Sequence, residues 1–165
     1  MKVRYSYLKQ QFSNSGDLWA KLKKFVSTGD FTLGKELEKF EKNFARLIGS
    51  KYAVGVNSGT DAIKLSLRVL NVEPGDEVIT AANTFVATAN VGVMCGATID
   101  FVDIDSETLN MCPDHLEHKL EIASLAGSLP KIISIVHFAG EPANMERFYD
   151  LSNRYGFKII EDAKK

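Results

Sequence analysis

Two rhythms of apolar residues alternate along this 165-residue chain, one repeating every three or four positions and one made of short unbroken runs. Leu18, Leu22, Phe25 and Val26 fall near helical spacing within residues 15–27, which predicts a short helix whose Lys21, Lys23 and Lys24 form its solvated face. The segment Phe31-Thr32-Leu33-Gly34 breaks that pattern, with Thr32 a candidate cap. Leu37, Phe40, Phe44, Leu47 and Ile48 then mark an amphipathic helix over 35–48, closed by Gly49. Residues 52–56 read as a short strand, and 62–70 as a helix with Ile63, Leu67 and Leu70 on one face. After the turn Pro74-Gly75-Asp76 come a strand from 77 to 80, a helix over 84–94 ended by Gly96, and a strand over 98–103. A helix over 114–122 is introduced by Pro113. The run 131–137 (KIISIVH) is the continuous kind that is covered on both faces. A helix over 144–155, ended by Gly156, and a buried strand over 157–160 complete the pattern. Strands alternate with helices throughout, which predicts an α/β fold of three layers around a mostly parallel, doubly wound sheet.

Composition narrows the function classes. With 45% hydrophobic residues, 25% charged residues and a net charge of -1, the chain has the makeup of an ordinary globular protein. That balance argues against wrapping nucleic acid or docking on an anionic membrane. No apolar run approaches the ~20 residues of a membrane span, and the opening MKVRYSYLKQQ lacks the apolar core of a signal peptide. Cys95 and Cys112 share no CxxC spacing and are expected to stay reduced, which places the protein in the cytoplasm.

In open parallel sheets, ligands bind beyond the carboxyl ends of the strands. Ser58-Gly59-Thr60 lies at one such end. Backbone N–H groups at a helix start, a glycine that permits close approach, and two hydroxyls suit a phosphate; the same triplet also reads as a plain capped turn. Asp162 follows a buried run, where a carboxylate calls for a cationic partner such as a protonated pyridine nitrogen; otherwise it is an acidic strand end facing water. Phe85 reads as a core aromatic on an apolar helix when taken alone. His137 ends a buried strand and is either a pocket residue or a hydrogen-bonded core histidine. Cys112, His115 and His118 have a metal-like spacing without a convincing fourth ligand, so no metal site is expected.

Taken together, these segments resemble the DegT/DnrJ/EryC1/StrS aminotransferases. The resemblance rests on YAVGVNSGTDA (52–62), PGDEVI (74–79), TFVAT (84–88), GAT (96–98), FVDID (101–105), HFAGEPANM (137–145) and IEDA (160–163), in order and with family-like spacing. It implies pyridoxal 5'-phosphate (PLP) as cofactor, with the Gly59 and Thr60 amides and Ser58 at its phosphate, Phe85 stacked on its ring and Asp162 on its pyridine nitrogen. The implied substrate is a keto-sugar joined to a nucleoside diphosphate, aminated with glutamate as donor.

The resemblance also sets expectations about what lies elsewhere. The family's Schiff-base lysine falls beyond residue 165, so no catalytic residue is assigned within the sequence. Lys164 and Lys165 follow Asp162 too closely to curl back onto the cofactor and are expected to be solvated. The expected organisation is a helical segment over 1–30 and a partial PLP-binding large domain over 31–165, truncated before its small domain. A homo-oligomer, or a C-terminal half from another chain, is expected to cover the edges left open. The alternatives are a non-catalytic remnant that binds PLP or a sugar nucleotide, and one half of a split enzyme.

Overall fold

The computed structural model describes residues 6–163; Lys164 and Lys165 lie outside them. The chain divides into two compact units, Met1–Gly55 and Val56–Lys165. The first unit carries α1 (Leu8–Gln11), α2 (Gly16–Val26) and α3 (Lys35–Ile48). On α2, Lys21 pairs with Asp17 one turn away at 2.6 Å, both exposed, as a solvated face requires. Glu36 and Glu38 stand in the first turn of α3 and Arg46 in its last, complementing the helix dipole, and Gly49 closes it in the left-handed conformation at φ 69°. The single-turn α1 was not anticipated, because four residues are too few to show a period.

The strand expected over 52–56 does not form. The segment carries no ladder hydrogen bonds to any other described residue, and Tyr52 and Val54 are 73% and 78% exposed. A strand exists only through its neighbour's hydrogen bonds. Here the Gly55 N–H donates to Glu41 Oε1 at 2.7 Å instead.

The second unit alternates α4 (Gly59–Val69), β1 (Glu77–Ala81), α5 (Val86–Met94), β2 (Thr98–Val102), α6 (Pro113–Ala126), β3 (Ile132–Val136), α7 (Met145–Tyr155) and β4 (Lys158–Asp162). The four strands form one parallel sheet in the order β2-β1-β3-β4. Because side chains alternate across a strand, each strand feeds two cores. Val78, Ile132 and Ile160 pack with Ile63 and Leu67 of α4 and Val91 of α5. Ile79, Ile133 and Ile135 pack with Leu116 and Leu120 of α6 and Phe148 and Leu151 of α7. The result is the expected three-layer α/β arrangement.

Helix boundaries moved where local chemistry overrode periodicity. Helix α4 begins at Gly59 rather than 62, because Ser58 caps it: its Oγ accepts from the Asp61 N–H at 3.1 Å and donates to the Asp61 carboxylate. Helix α5 begins at Val86 rather than 84, because Phe85 is extended (φ -66°, ψ 137°) and serves as its N-cap residue. Helix α6 runs on to Ala126 and closes at Gly127 (φ 68°).

This strand order reverses direction between β1 and β3. The chain steps outward from β1 to β2, then crosses to the other side of β1 to lay down β3 and β4. The connections leaving the carboxyl ends of β1 and β3 therefore part on opposite faces and open a crevice, the place where such sheets bind ligands.

Candidate active site

A cavity of about 340 Å³ occupies that crevice. Gly59, Thr60 and Ile63 line it from α4, Thr84, Phe85, Ala87 and Thr88 from the start of α5, and Val136 to Ala139 and Asp162 from the ends of β3 and β4. Its size lies within the range of small-molecule sites. Four of the five residues singled out from the sequence (Gly59, Thr60, Phe85 and Asp162) line this one cavity. The fifth, Ser58, is engaged by its cap to Asp61. Capping and anion binding are compatible at this helix start. The side chain of Ser58 meets the Asp61 N–H, while helix geometry leaves the first-turn N–H groups of Gly59 and Thr60 without intrahelical acceptors. The same end carries the positive pole of the helix dipole.

Phe85 is 69% exposed and lines the cavity, so the core-aromatic reading fails. Its position at the N-cap, outside the helix proper, turns the ring away from the sheet core. Asp162 is the last residue of β4, which runs two residues further than the apolar run suggested. Thr88 Oγ1 donates to Asp162 Oδ2 at 2.9 Å, and Thr84 Oγ1 donates to Thr88 Oγ1 at 3.2 Å.

The loop after β3 forms another wall. Asn110, 3% exposed, accepts from the Phe138 N–H through Oδ1 at 2.8 Å and donates through Nδ2 to the Glu141 carbonyl at 3.1 Å. Those two bonds hold a tight turn in which Ala139 adopts φ 52°. His137 Nδ1 accepts from the Ala143 N–H at 3.1 Å, which leaves Nε2 as the protonated nitrogen facing Glu161 Oε2 at 3.3 Å. Tyr149 donates to the other Glu161 oxygen at 2.6 Å, and that hydrogen bond pushes the phenol above its ordinary pKa. His137 is thus both a cavity-lining residue and a hydrogen-bonded one. Thr88 and Asn110 were missed in the sequence: a threonine inside an apolar helix and an asparagine in a loop carry no periodic signal.

The remaining candidates do not converge. Cys112 is the N-cap of α6, His118 lies 3.9 Å from Glu121, and among the described residues no three His, Cys, Asp or Glu side chains gather as a metal site would need. A larger open depression of about 810 Å³ runs along the β2 edge, but its lysines are paired, Lys131 with Asp76 at 2.7 Å and Lys119 with Asp100. No helix among the described residues is long and apolar enough to cross a membrane.

A doubly wound sheet with a helix N-terminus, an aromatic ring and a carboxylate around its switch-point crevice defines the class, an α/β protein with a cavity of small-molecule size. The chain belongs to the DegT/DnrJ/EryC1/StrS aminotransferase family, whose model matches residues 14–165. It is similar to an aminotransferase of this family from Brucella abortus, with 33% identity over 98% of this chain and 44% of that one and a TM-score of 0.91. It is also similar to DesV from S. venezuelae, with 33% identity, 98% of this chain, 42% of that one and a TM-score of 0.87. For NtdA from Bacillus subtilis, solved with bound PMP, the values are 35% identity, 98% and 36% coverage and a TM-score of 0.85. The chain therefore spans less than half the length of these relatives, and its architecture is part of the large domain of PLP-dependent transferases.

Proposed function

We propose that this chain supplies the cofactor-holding portion of a PLP-dependent aminotransferase acting on a nucleoside-diphosphate keto-sugar, with glutamate as amino donor. The observation that carries this reading is the convergence of the Gly59 and Thr60 amides, the Phe85 ring and the Asp162 carboxylate on one 340 Å³ crevice. That set fits the cofactor's parts: an anion at a helix start, an aromatic face, and a carboxylate against a protonated ring nitrogen. Gly59 and Thr60 would hold the phosphate, Phe85 would cover the ring and exclude water from it, and Asp162 would keep a proton on the ring nitrogen. Bound there, the cofactor would supply an electron sink for the electron pair left on a substrate carbon when its proton is removed. On this reading residues 31–165 are a partial large domain preceded by a helical segment over 1–30. The Schiff-base lysine and small domain then come from outside these residues, through further chain or a second polypeptide, and the working unit is an oligomer.

Binding by the chain itself tests the reading. Pyridoxamine phosphate, followed by its fluorescence, should bind reversibly and be displaced by inorganic phosphate. Gly59→Val should weaken both ligands by obstructing the approach to the backbone, whereas Asp162→Asn should weaken only the ring-bearing one. Equal phosphate binding by the wild type and Gly59→Val would leave Ser58–Thr60 as a capped turn and nothing more. A non-catalytic role in binding PLP or a sugar nucleotide is the second reading, since the same cavity-lining groups would serve it.

A further inference from the structure

We infer that Thr88 is the positioning residue of this pocket, tying the carboxylate that meets the ring nitrogen and the aromatic that covers the ring to one point. The inference rests on the cofactor reading above and concerns residues to which that reading gave no role. Thr88 is 3% exposed and sits in the first turn of α5. Its side chain and its backbone reach in two directions. The hydroxyl donates to Asp162 Oδ2 at 2.9 Å, across 74 positions of sequence, and the N–H donates to the Phe85 carbonyl at 2.9 Å. The separation between the wall that stacks and the wall that pairs is therefore set through a single residue.

The direction of the hydroxyl bonds also follows. A hydroxyl has one proton to give. Thr88 spends its proton on the ionised carboxylate, so Thr84 Oγ1, 3.2 Å away, must donate into a lone pair of Thr88. The chain Thr84 to Thr88 to Asp162 runs one way, with each donor polarising the next. Thr88 also helps fix where the carboxylate sits at the end of β4.

Thr88→Val keeps the side-chain shape and deletes the hydroxyl; Thr88→Ser keeps the hydroxyl. In the ligand-free chain, the proton couplings of Asp162 Cβ should depart from the wild-type values in Thr88→Val and keep them in Thr88→Ser. Pyridoxamine phosphate should bind about ten-fold more weakly to Thr88→Val, the loss expected for a hydrogen bond to a charged group. Thr88→Ser should restore the affinity. Inorganic phosphate, which never meets Asp162, should bind all of them alike. Thr84→Val, which leaves the Thr88–Asp162 bond in place, should give a smaller loss and serves if Thr88→Val does not fold. An Asp162 rotamer and a ring affinity unchanged in Thr88→Val and Thr84→Val would overturn the inference while leaving the cofactor reading intact. A wild type that binds pyridoxamine phosphate no better than inorganic phosphate would bring down the cofactor reading, and the inference with it.

Discussion

Asn110→Ala removes a side chain that bonds the loop after β3 at two points. Two hydrogen bonds are lost, Phe138 N–H to Oδ1 at 2.8 Å and Nδ2 to the Glu141 carbonyl at 3.1 Å, from a residue only 3% exposed. Each bond contributes about 0.5–1.5 kcal/mol net. Both are part-buried, so the expected destabilisation is about 1–3 kcal/mol, against the roughly 5–15 kcal/mol of a whole domain. The Ala139 turn, at φ 52°, is a strained conformation that persists only while its surroundings impose it. Releasing Asn110 should let it relax and loosen the pocket wall made by His137, Phe138 and Ala139. Urea denaturation should show the midpoint falling, and hydrogen exchange should show the Phe138 and Gly140 amides losing protection before those of β3. Asn110→Asp separates the two bonds: a carboxylate still accepts from Phe138 but repels the Glu141 carbonyl, so its loss should match or exceed half that of the alanine variant. A midpoint unchanged in Asn110→Ala, with Phe138 exchange as in the wild type, would refute the assignment of this residue as an anchor of the loop.

Three further outcomes follow from the same structure. Ser134 Oγ is buried and has no partner among the described residues, so Ser134→Ala should be neutral or stabilising by about 1 kcal/mol in a urea titration; a loss above that size would mean the hydroxyl is satisfied in solution. Gly96 ends α5 at φ 86°, where an added Cβ would lie 2.8 Å from the Pro74 ring. Gly96→Ala should therefore cost about 2 kcal/mol or more, read as a fall in Tm of several degrees. The Lys131 ammonium beside Asp76, helped by the Glu73 N–H, holds the Asp76 carboxyl below its ordinary pKa, so its stabilisation is complete above the ordinary carboxylate range and is lost as pH falls beneath it. Asp76→Asn should accordingly flatten the acid limb of a stability-against-pH curve and leave its slope near neutral pH unchanged.

Much of this was legible in the chain. The helices over 35–48 and 144–155 show in the spacing of their apolar residues, and each is closed by a glycine, Gly49 or Gly156, that takes the left-handed conformation. The buried run that becomes β3 and the strand–helix alternation were enough for a parallel three-layer sheet, because periodicity reports which faces meet the core. The candidate residues Gly59, Thr60 and Asp162 showed one at a time with two readings each, and Phe85 alone read as core. Only the ordered series of short motifs that resembles the family joined them into one expected site.

What the sequence did not contain is how those places meet. The strand order β2-β1-β3-β4, which opens the crevice between β1 and β3, depends on which strand edges pair, and the backbone hydrogen bonds that pair them are the same whatever the side chains. The segment 52–56 has the composition of a strand and is not one, because the pairing that would make it so is not a property of its residues. Phe85 changed from core aromatic to exposed pocket wall when the helix began one residue after it. The bonds that assemble the site, Thr88 to Asp162 and Asn110 to Phe138 and Glu141, join residues 28 to 74 positions apart. Side chains of that kind have no period and no local partner. They acquire a role only when the sheet has brought two strand ends, a helix start and a loop within hydrogen-bonding distance.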